Sequence, residues 1–110
     1  MHIPAMTVQT LKAMLDDGTF ARGEAVLLDV REAHELAISA LPDATHVPMR
    51  EIPAALDQLD RSKPVAVLCR VGGRSAQVTA YLRQHGFNAT NITGGINAYA
   101  RDVEPSLKPY

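Results

Sequence analysis

The stretch "VAVLCRVGGRSAQVTAYLRQHGF", residues 65–87, decides the fold. Val65 to Leu68 is an unbroken apolar run, the pattern of a strand buried on both faces. From Ser75 onward the pattern changes period. Val78, Thr79 and Leu82 fall on one helical stripe, Gly86 ends the helix, and Phe87 packs back against it. Ser75 is the predicted N-cap. Between strand and helix lies Cys69-Arg70-Val71-Gly72-Gly73-Arg74, a short, basic, glycine-rich turn. A strand feeding a helix through so short a turn is the building unit of an α/β fold.

Working outward, the same alternation continues in both directions. "TVQTLKAMLDDG" (7–18) places Val8, Leu11, Met14 and Leu15 at helical spacing, with Gly18 as the stop. "AVLLDV" (25–30) is a second buried strand. "REAHELAIS" (31–39) reads as a short helix ended by the Pro42-Asp43 turn, and "THVP" (45–48) as a brief strand. "EIPAALDQLD" (51–60) reads as one helix with Pro53 in its first turn and Ile52, Leu56 and Leu59 inward. "NATNIT" (88–93) is a last strand, "GGINAYARDV" (94–103) a last helix, and "EPSLKPY" (104–110) irregular chain. The expected fold is α/β, a mostly parallel central sheet with helices on both faces and right-handed crossovers.

The chain has 110 residues, enough for one core. With 46% apolar and 21% charged residues it has ordinary globular composition. A formal net charge of −1 gives no general attraction to nucleic acid or to an anionic membrane, so neither is an expected partner. No apolar stretch approaches the length of a membrane span, and "MHIPAMTVQT" lacks the apolar core of a signal peptide. The single cysteine excludes a disulfide framework, a paired-cysteine redox motif and a multi-thiolate zinc site. His2, His34, His46 and His85 share no ligand spacing, so no metal or other cofactor is expected. A cytoplasmic, reducing compartment, where a free thiol persists, is the expected location.

Cys69 then stands out by position. In parallel sheets ligands bind beyond the carboxyl ends of strands, where a turn enters the next helix. Gly72 and Gly73 allow successive N–H groups to converge on a small bowl, and the helix N-terminus behind it adds positive potential. Helix N-termini and nearby arginines acidify a thiol, so Cys69 is expected to be a nucleophile needing no histidine partner. Arg70 is expected to project toward the mouth, and Arg74 to hold the shape and charge of the loop.

Over residues 7–105 the sequence resembles the rhodanese family of single-domain sulfurtransferases, leaving 106–110 as a short tail. "LLDVREAHELAISALPDATHVP" is similar to the family's L-D-V-R-E segment, proline turn and following strand. "VLCRVGGRSAQVTAYLRQHGF" is similar to its active-site loop and helix, and "ITGGINAYARDVEP" to its closing G-G segment. The resemblance implies a rhodanese-like fold and catalysis through a Cys69 persulfide. A sulfane sulfur would pass from a donor such as thiosulfate to cyanide or a thiol. Residues Cys69 to Arg74 would cradle the persulfide, with Ser75 supporting them, and Asp29 and Arg31 would pair and brace the pocket. Donor and acceptor stay open among thiosulfate, a persulfide, glutathione, thioredoxin and a sulfur-carrier protein.

Some residues depart from the family pattern. Ser39-Ala40 replace the usual Gly-His, Asp43 stands where the turn commonly has Gly, and Tyr99 and Val103 stand where Trp and Gly are usual. Asp tolerates a left-handed backbone better than most residues, so the turn is expected to survive. Two rival readings accompany the resemblance. A phosphatase of the same fold would need five residues between Cys and Arg, whereas four separate Cys69 from Arg74. A non-catalytic protein-binding or persulfide-carrier module is the other; the binding modules typically lack the cysteine.

Overall fold

The computed structural model describes residues 3–110; His2, one of the four histidines without ligand spacing, lies outside them. Five parallel strands form one sheet in the order β1-β5-β4-β2-β3. They are β1 (Ala5–Met6), β2 (Val26–Asp29), β3 (Ala44–His46), β4 (Val65–Leu68) and β5 (Ala89–Ile92). The helices are α1 (Val8–Asp16), α2 (Ala33–Leu36), α3 (Ile52–Ala55), α4 (Gly73–Gln84) and α5 (Gly95–Asp102). β4 is central, and the alternation of its side chains divides the core in two. Ala66 and Leu68 join Val8, Leu11, Leu27, Ile96 and Tyr99 on the α1/α5 face. Val65, Val67 and Cys69 join Leu28, Ile52, Val78 and Leu82 on the α3/α4 face. That every residue of β4 is buried explains why its sequence shows no polar alternation.

The local rules visible in the sequence operate here. Thr7 caps α1, its Oγ1 accepting the Thr10 N–H at 3.1 Å. Gly18 and Gly86 both turn at positive φ just beyond their helices. Asp43 takes φ 63°, the left-handed value its turn requires, so the departure from glycine is absorbed. Val103, at the end of α5, has φ −132° and needs no glycine.

Other expectations need correction. The helix expected over 51–60 is broken. A 3₁₀ turn at Met49–Glu51 leads into α3, and another at Leu56–Gln58 follows it. Ile52 is buried, whereas Leu56 and Leu59 are only partly so. Pro53 offers no N–H, and tight i→i+3 turns suit a segment too short to propagate. The helix expected over 31–39 contracts to the single turn α2. Met6 and Ala5 add an edge strand, β1, unforeseen in the N-terminal residues, paired in parallel with Asn91 and Ile92. Among the described residues no helix is long and apolar enough to cross a membrane. None of their His, Cys, Asp and Glu residues cluster in threes suited to a metal ion.

Candidate active site

The strand order reverses between β2 and β4. The chain leaves β2 for β3 on one side and leaves β4 for β5 on the other. A crevice at the carboxyl ends of those two strands is where ligands bind in such sheets. β4 brings Cys69 to it, and β2 brings Asp29 and Arg31.

Cys69 is 1% exposed. The Gly72 N–H donates to its Sγ at 3.1 Å, and Ser75 Oγ lies 3.2 Å from the same sulfur. The expected N-cap is corrected: Gly72, at φ 109°, caps α4, which starts two residues earlier than Ser75. The Gly72 carbonyl accepts the Ala76 N–H at 3.1 Å, a left-handed cap geometry that a side chain disfavours. Ser75 is instead fully buried inside the first turn. Its hydroxyl donates to Asn91 Oδ1 at 2.5 Å, and Asn91 Nδ2 donates to the Gly72 carbonyl at 3.4 Å. The N–H groups of Gly73, Arg74 and Ser75 open α4, and first-turn N–H groups lack intrahelical acceptors.

The remaining loop residues divide by exposure. Val71, 61% exposed, stands out from the surface. The Arg70 guanidinium is exposed and lies over the Tyr110 ring, 4.8 Å from its centroid. Arg74 makes a two-pronged pair with Glu35, at 2.7 Å on each arm. A cleft of about 440 Å³ opens on Arg74, lined also by Val30, Glu32, Met49, Arg50 and Pro53.

Asp29 and Arg31 form a fully buried ion pair, Nη2 to Oδ2 2.7 Å. Arg31 also donates to the carbonyls of Ser39 at 2.9 Å and Glu35 at 3.3 Å, and to the Tyr110 hydroxyl at 2.9 Å. Burial opposes the Arg31 charge, but the hydrogen bonds to Asp29 and Tyr110 outweigh it and raise its pKa. Enclosed in this way, Arg31 presents no surface to a ligand.

Glu35, Tyr110 and Asn91 were not singled out from the sequence. The Glu35 carboxylate accepts from Arg74, from the Glu32 N–H at 2.8 Å and from the Tyr110 hydroxyl at 2.9 Å. Chiefly the Arg74 hydrogen bond, against the pull of burial, holds its pKa down at about 2. The same bond, again outweighing burial, raises that of Arg74. Burial pushes the Tyr110 hydroxyl up; Arg31 lowers it and Glu35 raises it. A carboxylate in "REAHELAIS" looks like a solvated helix residue, and nothing local tells that three elements converge on it.

A parallel α/β domain with one enclosed thiol at its topological switch point, under a helix N-terminus, defines the class. The rhodanese-like domain family matches residues 7–102, and the chain belongs to that family. A putative sulfurtransferase of Bacillus subtilis is 35% identical over 105 residues, covering 96% of this chain and 98% of that protein. A chloroplastic rhodanese-like/PpiC domain-containing protein of Arabidopsis thaliana is 42% identical over 108 residues. There the match covers 94% of this chain and 36% of the plant protein. A solved structure from Staphylococcus saprophyticus shares 33% identity at a TM-score of 0.81, covering 96% of this chain and 99% of that one.

Proposed function

We propose that this protein is a rhodanese-type sulfurtransferase with Cys69 as its nucleophile. The observation that carries the reading is the Gly72 N–H aimed at Cys69 Sγ beneath the start of α4. Relatives named as sulfurtransferases support it. The Cys69 thiolate attacks the outer sulfur of thiosulfate. A new S–S bond forms, the sulfur–sulfur bond of thiosulfate breaks, and sulfite leaves with its electron pair. The loop N–H groups then face a persulfide that carries the negative charge. In the second half-reaction cyanide or a thiolate attacks the outer sulfur, and the Cys69 thiolate departs as leaving group. This is covalent catalysis in two displacements, with no net redox change in the protein. The near-complete enclosure of the thiol suits passage of a single atom. A thiol acceptor could be small or could belong to thioredoxin or a sulfur-carrier protein, and a reducing cytoplasm would keep Cys69 free. Asp29, Arg31 and Ser75 support the loop from behind.

The test is intact-mass measurement. Thiosulfate should add one sulfur atom to the wild type, cyanide should remove it, and Cys69→Ala should take up none. Thiosulfate–cyanide turnover in Cys69→Ala close to wild type would end the reading.

A further inference from the structure

Tyr110 contacts one end of the active-site loop directly, at Arg70, and reaches the other, Arg74, through Glu35. Its ring lies under the Arg70 guanidinium at 4.8 Å, with Arg31 at 5.9 Å. Its hydroxyl accepts from Arg31 Nη1 and donates to Glu35 Oε1, each at 2.9 Å, and Glu35 in turn holds Arg74. The residue is itself pinned. Its N–H donates to Asn97 Oδ1 and its main-chain oxygen accepts from Asn97 Nδ2, both at 3.1 Å. Asn97 is fixed to the loop, because its own N–H donates to the Arg70 carbonyl at 3.1 Å. Thus the backbone of Arg70 holds Asn97, Asn97 holds Tyr110, and Tyr110 holds the Arg70 side chain. A long arginine on a loop surface is otherwise free to sample many rotamers, and its charge acts on a nearby site only for the fraction of time spent there.

We infer that Tyr110 is a positioning residue: its ring fixes the Arg70 charge on the active-site loop next to Cys69 and so tunes the loop toward anionic sulfur donors. The inference rests on the reading of Cys69 as nucleophile, and it assigns the two parts of one side chain different tasks. The ring sets the donor preference through Arg70. The hydroxyl ties Arg31 and the Glu35–Arg74 pair into the framework.

Alkylation of Cys69 by iodoacetate and by iodoacetamide isolates the electrostatic part. The two reagents are alike in size and differ in charge, so their rate ratio cancels access to the thiol and its ionisation. At low salt, Arg70→Ala and Tyr110→Ala should each lower the iodoacetate-to-iodoacetamide ratio about three-fold, the scale of one oriented surface charge. The double variant should fall no further than either single one. Tyr110→Phe, which keeps the ring, should recover most of the ratio while still losing thermal stability. The KM for thiosulfate should follow the same order, with kcat changing less. If Tyr110→Ala does not fold, Tyr110→Leu carries the comparison. An unchanged ratio in these variants, or additive losses in the double variant, overturns the inference. Failure of thiosulfate to load Cys69 overturns the functional reading instead, and the alkylation ratio is still read.

Discussion

Two turns in this molecule are built alike and used differently. β4 ends in Cys69 and enters α4 through Gly72-Gly73; β5 ends near Thr93 and enters α5 through Gly94-Gly95. The N-cap glycine of each is left-handed, φ 109° at Gly72 and 80° at Gly94. The second turn spends its N–H groups on the first: Ile96 N–H donates to the Cys69 carbonyl at 2.9 Å, and Asn97 N–H to that of Arg70 at 3.1 Å. The first turn aims the Gly72 N–H at the thiol. One helix N-terminus is therefore a buttress, and the other is the proposed receptor. Paired glycines before a helix mark an anion site only where no backbone carbonyl has already taken the N–H groups.

The contrast breaks most severely at Gly95. A Cβ there would lie 2.5 Å from the Cys69 carbonyl oxygen and press on the Arg70 carbonyl, at a φ of 62° that already disfavours a side chain. All of the clashing atoms are backbone, so nothing yields without moving the loop. Gly95→Ala should destabilise the fold by about 3 kcal/mol or more, read from its urea midpoint. It should also displace the thiol and lower thiosulfate loading. A loss below about 1 kcal/mol would mean that α5 does not buttress the loop.

The two turns should also separate in acid. Backbone hydrogen bonds hold the buttress, and these do not titrate; the Arg74 end of the receptor is held by Glu35. Its carboxyl, ordinarily at 4.5, sits at about 2 in the folded protein because of Arg74. A carboxyl lowered by folding stabilises the native state fully above its unfolded value. That stabilisation is lost as pH falls through the folded one. The wild-type advantage over Glu35→Gln should therefore be complete above about 4.5 and decline toward about 2. Its size should be about 2 kcal/mol, reduced by solvent screening because Arg74 is one-third exposed. An advantage that persists unchanged to pH 2 would remove the ion pair from the account.

How far the sequence could be read follows the same division between local and distant. The strand–loop–helix of residues 65–87 is legible because each signal lies within one turn of the residue it controls, as does the left-handed Asp43. The broken segment around α3 misleads because Ile52, Leu56 and Leu59 keep helical spacing even where the backbone tightens into 3₁₀ turns. β1 has two residues, too few to show any period, and exists because β5 has an edge to pair. Ser75 carries a strong capping preference, yet Gly72 reaches the left-handed cap more cheaply and leaves the hydroxyl to Asn91. The Glu35–Arg74 pair spans 39 positions, and the Tyr110 contact to Arg31 spans 79. Charged and aromatic residues in short turns and tails look solvated until the fold brings them together.

The smallest effect is expected at Gly73, and it is the sharpest test of the contrast because Gly73 is the counterpart of Gly95. Unlike Gly95 it has no positive φ, and a Cβ built on it meets nothing within 4 Å. It also occupies the first position of α4, where alanine restricts the unfolded chain and suits the helix. Gly73→Ala should consequently leave stability unchanged or raise it by about 0.5 kcal/mol. The same substitution at the matching place in the second turn should produce the largest loss in the molecule. Urea midpoints of the two variants, measured side by side, give the difference directly. Comparable destabilisation in both would show that the receptor turn is packed as tightly as its buttress. The open space over Gly73 would then not be available to a sulfur donor.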